Sequence, residues 1–133
     1  MASESSYFAP IEGAKYIALT TYRRDGTAVA TPVNVVVEGG HAFFRTWDVS
    51  GKAKRIRHTP TVTVAPSSAR GRPLGAPIQA SATLLEGAES DHAAALIAKK
   101  HPILHGWLIP RVHRLRGWKT QQFRLSPPPG SQE

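Results

Sequence analysis

The sequence predicts a mainly β protein, a small antiparallel barrel of six strands with two short helices. Apolar and β-branched runs of strand length recur along the chain, and most of them are joined by hairpin-like turns. The helical segments are too few for a parallel sheet, in which each strand needs a long crossover. At 133 residues, the chain is long enough for one domain with a modest core.

The first part of the chain predicts three strands joined by tight turns, a β-meander. An Asp-Gly turn at Asp25-Gly26 and the pair Gly39-Gly40 separate these strands. Pro32 interrupts the second strand, and because proline cannot donate to a ladder it indicates an edge position or a bulge. The predicted strands span residues 15–22, 27–38 and 41–46.

The second part predicts three more strands and both helices. A Ser-Gly turn begins a helix over 51–58, and Ser90-Asp91 is expected to cap an Ala-rich helix that ends near Lys100. The remaining strands are predicted at 61–65, 78–85 and 118–125, with a loop at 66–77 and an ambiguous piece at 104–116. We therefore expect a flexible N-terminal arm at 1–12, one domain at 13–126 and a disordered tail at 127–133.

The amino-acid composition excludes several kinds of site and of protein. The absence of cysteine excludes disulfides, thiolate metal sites and a cysteine nucleophile. No apolar run approaches the ~20 residues that cross a bilayer, and the first ten residues lack the pattern of a secretory signal. We expect a cytoplasmic protein with no membrane partner.

The formal net charge of +8 is unevenly distributed. Seven Lys or Arg residues lie between Arg45 and Arg72, with Asp48 as the one acid among them. Such a bias favours a polyanionic partner: nucleic acid, acidic lipid or a multiply charged cofactor. A solvated basic surface without a specific partner is the alternative, and charge does not choose among these.

The turn at residues 46–57 is the main candidate site. Ser50 can cap the helix, Gly51 lets a ligand approach the backbone, and Lys52 and Lys54 add positive charge. Cations in the first turn oppose the helix dipole, and a bound anion would relieve that conflict. We interpret the turn as a phosphate-binding site closed by Lys52 with Ser50, or by Arg55 with Thr46. An ordinary exposed basic helix remains the alternative.

Other constellations carry less chemistry. The six histidines show no metal-ligand spacing beyond His101 and His105, which Pro102 separates, so no metal site is predicted. No Ser–His–acid nucleophile motif is present, and no catalytic residue is assigned. Trp107 and Trp118 lie among basic residues, a mixture that can stack nucleic-acid bases or form a core.

Taken in order, these residues resemble the flavin-binding split β-barrel family of pyridoxamine-phosphate-oxidase-like proteins. The pattern is an Asp-Gly hairpin with Ala30-Thr31-Pro32-Val33, then Phe43-Phe44-x-Thr46, Ser50-x-Lys52-x-Lys54 with Arg55, and Pro60 before a strand. Within the family it is most similar to the small reductases that use the deazaflavin coenzyme F420, through Ala65-Pro66, Arg70-Gly71 and Gly75. The likeness covers roughly residues 13–126.

The resemblance implies a six-stranded split barrel that forms a homodimer with cofactor sites at the interface. It implies that residues 31–34 (Thr31, Pro32, Val33 and Asn34) lie against a tricyclic ring, with Ala65 and Pro66 nearby. Thr46, Ser50, Gly51, Lys52 and Lys54 would hold the phosphate, and Gln79 would reach a ring from the partner subunit. Arg55, Arg57, Arg70 and Arg72 are candidates for the anionic tail of F420.

The expected function is an F420-dependent reductase that transfers hydride from the reduced cofactor to a small organic substrate. An FMN-binding oxidoreductase with the same phosphate grip is the alternative within the family. A basic nucleic-acid-binding module and a non-catalytic cofactor carrier are alternatives of other classes. Pyridoxamine phosphate oxidation is not expected, because the substrate-binding arginine and histidine of true oxidases are not recognisable around residues 118–125.

Overall fold

The computed structural model describes residues 7–47, 50–101 and 120–129, which form seven strands and three helices. The strands are β1 (Tyr16–Tyr22), β2 (Ala28–Asn34), β3 (Val36–Glu38), β4 (His41–Trp47), β5 (Thr61–Ser67), β6 (Ile78–Leu84) and β7 (Thr120–Ser126). The helices are α1 (Ala9–Glu12), α2 (Gly51–His58) and α3 (Gly87–Lys100).

One antiparallel sheet contains all seven strands, in the order β2-β1-β5-β6-β7-β4-β3. Its two edge strands, β2 and β3, are consecutive in the chain and are separated by the buried Val35 alone. The chain thus crosses from one edge of the sheet to the other at Val35, and the sheet curls into a barrel. This confirms the predicted antiparallel split barrel. The strand count of six is wrong, because the predicted strand 27–38 divides at Val35.

The expected three-stranded meander is wrong for the same reason. The first hairpin is present: the Arg23 N–H donates to the Thr27 carbonyl at 2.9 Å, and Gly26 has φ 90°. β3 and β4 also form a hairpin, but β2 pairs with β1 alone and β4 pairs next with β7. Pro32 lies on the edge strand β2, as its missing N–H predicts.

The core fills the barrel and is closed by two of the helices. Phe44 and Phe123 stack at its centre with ring centroids 5.1 Å apart. Ala53 and Ile56 of α2 contribute to the core. Phe8 and Ile11 are fully buried in it, so the second half of the stretch predicted as a flexible arm is a packed turn of helix.

α3 covers part of the outer face, where Ala93 and Ile97 pack with Phe43 and Leu85. It begins at Gly87, so the predicted cap at Ser90-Asp91 is wrong. The Ser90 hydroxyl instead donates to Gln122 Oε1 on β7 at 2.5 Å. This bond ties the first turn of the helix to the sheet.

Several sequence predictions lie outside the described residues: those on 104–116, Trp107, Trp118, His105 and most of the tail. Across the described part of the chain, no helix has the length and apolarity that crossing a bilayer requires.

Candidate cofactor site

The first turn of α2 is built by two hydroxyl groups. Ser50 accepts a hydrogen bond at its Oγ from the Ala53 N–H (3.2 Å), so it caps the helix as predicted. The Thr46 hydroxyl, from the end of β4, donates to the same Oγ at 3.0 Å. The cap therefore fixes the turn between β4 and α2, where the free N–H groups of the helix collect.

Arg55 folds back toward this turn and is anchored inside the barrel. Its Nε donates to Thr21 Oγ1 at 2.6 Å, and Thr21 is fully buried on β1. A Cβ atom at Gly51 would lie 2.7 Å from Arg55 Nη1. Gly51 therefore leaves the space that the guanidinium occupies, whereas the sequence suggested that this glycine makes room for a ligand alone.

Lys52 and Arg55 bring two positive charges to this turn, and neither has a carboxylate partner among the described residues. Burial lowers the pKa of Lys52, and the charge of Arg55 lowers it further. Burial likewise lowers the pKa of Arg55, with a smaller effect from Arg23. Within residues 7–47, 50–101 and 120–129, no carboxylate oxygen lies within 4.0 Å of Lys52 or Arg55. A bound anion would favour the charged form of both side chains.

We name Thr46, Ser50, Gly51, Lys52 and Arg55 the cationic corner. Lys54 and Arg57 are exposed on α2. Arg57 belongs to the last turn of this helix, where a cation interacts favourably with the helix dipole. The corner thus combines two partly buried cations, a helix N-terminus and two hydroxyls. Such a donor set suits a phosphate group.

The predicted ring-binding segment, residues 31–34, is divided between the two faces of β2. Thr31 and Val33 pair with Leu19 and Ile17, which belong to the core, so they face inward. The Thr31 hydroxyl oxygen is buried and has no hydrogen-bond partner. Asn34 is buried, and its Nδ2 donates to the Lys15 carbonyl at 3.1 Å.

Pro32 faces outward, on a surface of small side chains formed by β2, β1, β5 and β6. Pro32 and Ala65 both pair with Ala18, which lies between them on β1. Gln79 lies on the same face. It pairs with Thr63, which is two residues from Ala65 on β5 and therefore points to the same side of the sheet. We name this surface the small-residue face. It brings together three of the residues that the sequence assigned to the ring.

The loop after β5 lies against one end of this face. A Cβ atom at Gly71, whose φ is 88°, would lie 3.4 Å from Pro32 Cδ, and one at Gly75 would lie 2.9 Å from Pro66 Cγ. Arg70 and Arg72 flank Gly71 and are exposed. Both of their N–H groups donate to the Ser68 hydroxyl, at 3.3 and 3.1 Å. The loop thus holds two cations next to Pro32.

Sequence reasoning did not identify the residues that support the corner from other strands. Thr21 is 34 positions from Arg55, and no local pattern connects them. Gln121 pairs with Thr46 across β4 and β7, and its Oε1 is buried without a hydrogen-bond partner. Burial also lowers the pKa of Arg45, which precedes Thr46 on β4. Strand alternation after Phe44 is the one signal in the sequence that could have placed Thr46 and Arg45 on opposite faces.

No protein-family model matches the chain, and no curated protein matches its sequence. Solved structures do match its fold. A pyridoxamine 5′-phosphate oxidase-like protein of Listeria innocua is 17% identical with a TM-score of 0.63, over 94% of this chain and 93% of that one. The heme storage protein HutZ of Vibrio cholerae is 18% identical with a TM-score of 0.68, over 98% and 93%. A FAD-binding protein of Mesorhizobium loti is 14% identical with a TM-score of 0.63, over 92% and 86%.

These comparisons establish the fold. The chain shares its split-barrel fold with these three proteins, of which one is named as a heme storage protein and one as a FAD-binding protein. At identities of this size, similarity extends to the course of the backbone and not to the ligand.

Proposed function

We propose that this chain binds a phosphate-bearing flavin, FMN in the first place, and acts with it as an oxidoreductase on a small organic substrate. The observation that carries the proposal is the cationic corner: Lys52 and Arg55 are partly buried beside a helix N-terminus without a carboxylate partner among the described residues. Holding two cations in this way costs free energy that a phosphate would recover.

The residues present fit such a cofactor. Lys52 and Arg55, with the free N–H groups of the first turn of α2, would hold the phosphate. Pro32, which is exposed on the small-residue face, offers an apolar surface for a ring. Among the described strands none pairs with the outer edge of β2, so a heterocycle could hydrogen-bond to the N–H and C=O groups of that edge.

The flavin would supply the hydride chemistry when bound, and the chain supplies binding and orientation. Lys52 and Arg55 would anchor one end of the cofactor, and Pro32 would fix the other end against β2. No described side chain is assigned as a proton donor. The substrate would approach the ring from the side away from the sheet.

Coenzyme F420 is a second candidate, and a specific observation favours it. Arg70 and Arg72 are exposed on either side of Gly71, which lies against Pro32, and they are distant in the sequence from the cationic corner. FMN ends at its phosphate and has no further anionic group for Arg70 and Arg72 to bind. The anionic oligoglutamate tail of F420 could bind to these two arginines. The names of the structural neighbours favour the flavin, since one is a FAD-binding protein.

We also propose that the chain pairs with a second copy through the small-residue face. Leu74, in the loop beside this face, is 66% exposed, and among the described helices α3 packs on β4, β7 and β3 rather than on the outer side of β1 and β5. Small side chains allow two sheets to approach closely. Gln79 of one copy would then lie near the ring held by the other.

Titration of FMN into the purified protein, followed by flavin fluorescence, tests the phosphate grip. We expect Lys52→Ala to weaken FMN binding about 5- to 150-fold, the loss of one charge-assisted contact. Lys99→Ala is the matched control, since it removes the same charge from an exposed position at the end of α3. Equal losses in the two variants would mean that FMN responds to net charge alone, and the proposal would be wrong.

A further inference from the structure

A cleft of about 360 Å³ lies where α3 crosses the outer face of β4 and β7. It shares no residue with the cationic corner or with the small-residue face. Its volume falls within the range of small-molecule pockets. We name it the α3 cleft, and its lining residues come from β4, β7, α3 and the connection before α3.

The floor of the α3 cleft is apolar. Phe43 and Leu85 form it together with Ala88, and the first two belong to the hydrophobic cluster beneath α3. The His92 ring meets the Phe43 ring edge-on, with centroids 6.5 Å apart and an interplanar angle of 89°. A floor of this kind accepts a flat, apolar group, because aromatic rings pack well face-to-edge and on aliphatic carbon.

The rim of the α3 cleft is polar and carries charges of both signs, because Glu89 lines it together with Arg124. Arg124 lines it from β7, and His41 and His92 line it from β4 and α3. His92 is paired with Glu38 at 2.8 Å, and Arg124 Nη1 donates to Glu89 Oε2 at 3.3 Å. The Glu89 side chain is 69% exposed, so its pairing with Arg124 is screened by water and easily exchanged.

Arg124 retains hydrogen-bonding capacity that the protein does not use. Its Nε is buried and has no hydrogen-bond partner. A guanidinium presents its N–H groups as a planar fork that fits the two oxygens of a carboxylate. A buried donor without an acceptor is unfavourable, and a carboxylate along the Nε–Nη2 edge of the guanidinium would supply the missing acceptor while Glu89 keeps its bond to Nη1.

We propose that the α3 cleft is a second ligand site, for a small planar aromatic carboxylate. The ring lies on Phe43 and Leu85, and the carboxylate pairs with the Arg124 guanidinium, with His41 at the open side. This site is independent of the proposed cofactor site, so either proposal can fail without the other.

Two-dimensional amide NMR of the full chain, titrated with 2-naphthoate, tests the α3 cleft. We expect saturable shifts confined to residues around the cleft and binding at least tenfold weaker for 2-naphthamide, which has the same ring without the charge. Arg124→Gln should remove the preference for the acid over the amide. Lys99→Gln is the control for charge, because Lys99 is exposed on the last turn of α3 and does not line the cleft.

The same titration with FMN present separates this site from the cofactor site. We expect 2-naphthoate to bind equally well with and without saturating FMN. Displacement of FMN by 2-naphthoate, shifts centred on Lys52 and Arg55, equal affinity for acid and amide, or no saturation at millimolar concentration would each overturn the proposal. Circular dichroism of Arg124→Gln verifies its fold; if it does not fold, Arg124→Lys, which keeps the charge but loses the fork, should weaken 2-naphthoate at least tenfold.

Discussion

Gly51 is the residue at which the helix cap and the inward-folded arginine meet. Its backbone conformation is open to any residue, so the glycine is not needed for the turn. Its role lies in the 2.7 Å between a Cβ at this position and Arg55 Nη1. The flexible end of Arg55 would move away from a methyl group there, and the helix itself would remain.

Gly51→Ala should therefore separate stability from binding. Alanine favours the helix by up to about 1 kcal/mol, so the free energy of unfolding should stay the same or rise. FMN affinity should fall about tenfold, because the displaced guanidinium no longer faces the phosphate. Urea unfolding and fluorescence titration measure the two effects.

Gly13→Ala is the control for this substitution, since a Cβ there meets nothing within 4 Å. It should leave FMN affinity unchanged. A Gly51→Ala variant that binds FMN like the wild type would show that the position of Arg55 is irrelevant to the site.

At the scale of the elements, sequence patterns predicted the features that depend on neighbouring residues in the chain, such as helix ends and the position of a proline. α2 was predicted over 51–58 and is found there, because a serine cap begins it and Pro60 follows its end. Pro32 was predicted at an edge position or a bulge, and it lies on the edge strand β2. The break at Val35 could not be read from the sequence, since the apolar run Val35–Val37 contains no turn residue and the bend depends on which strands lie at the two edges. The Thr21–Arg55 bond was missed because it joins β1 to α2 through the barrel.

A hydrogen bond from the end of α3 stabilises the point at Val35 where the chain crosses between the two edges of the sheet. His101 caps α3 and is buried, and its Nε2–H donates to the Val35 carbonyl at 3.1 Å. Burial lowers the pKa of His101, and Lys100 and Lys15 lower it further, although the bond to Val35 acts in the opposite direction. The folded protein therefore holds this imidazole neutral more strongly than the unfolded chain does.

Because the pKa of His101 is lower in the folded state, folding stability should decline as the pH falls below the unfolded value of about 6.5. The decline continues down to the folded pKa and then ends. His101→Gln keeps a donor for Val35 without a titrating ring, so it should lose less stability between pH 8 and pH 5 than the wild type. Urea unfolding at the two pH values measures the difference. Identical pH dependence in both proteins would show that His101 does not contribute.

At the scale of the whole molecule, the described part of the chain shows α3 packed on the outer side of β3, β4 and β7 rather than on that of β1 and β5. The split barrel as a class could be predicted from hairpin signals and strand length, but the side of the sheet that α3 covers depends on contacts between residues distant in the sequence. The excess of cations along 45–72 becomes two separate groups in the fold: the cationic corner, and the loop with Arg70 and Arg72. Binding of FMN would need the cationic corner alone, whereas binding of F420 would also use the loop with Arg70 and Arg72.

Leu74→Asp tests the proposed pairing of two copies. We expect the wild type to have about twice the 14.4 kDa mass of one chain in light scattering after gel filtration. The variant should dissociate into single chains at a higher protein concentration than the wild type, because a charge replaces an exposed apolar side chain at the proposed interface. Ala95→Asp adds the same charge on the exposed side of α3 and should leave the mass unchanged. A wild-type mass of one chain at every concentration would contradict the pairing.

The measurement that bears most directly on the phosphate grip compares FMN with riboflavin, which has the same ring and no phosphate. We predict that the wild type binds FMN at least about tenfold more tightly than riboflavin, and that Lys52→Ala removes most of this preference. Equal affinity for the two compounds in the wild type would contradict the account, because the cationic corner would then have no part in binding.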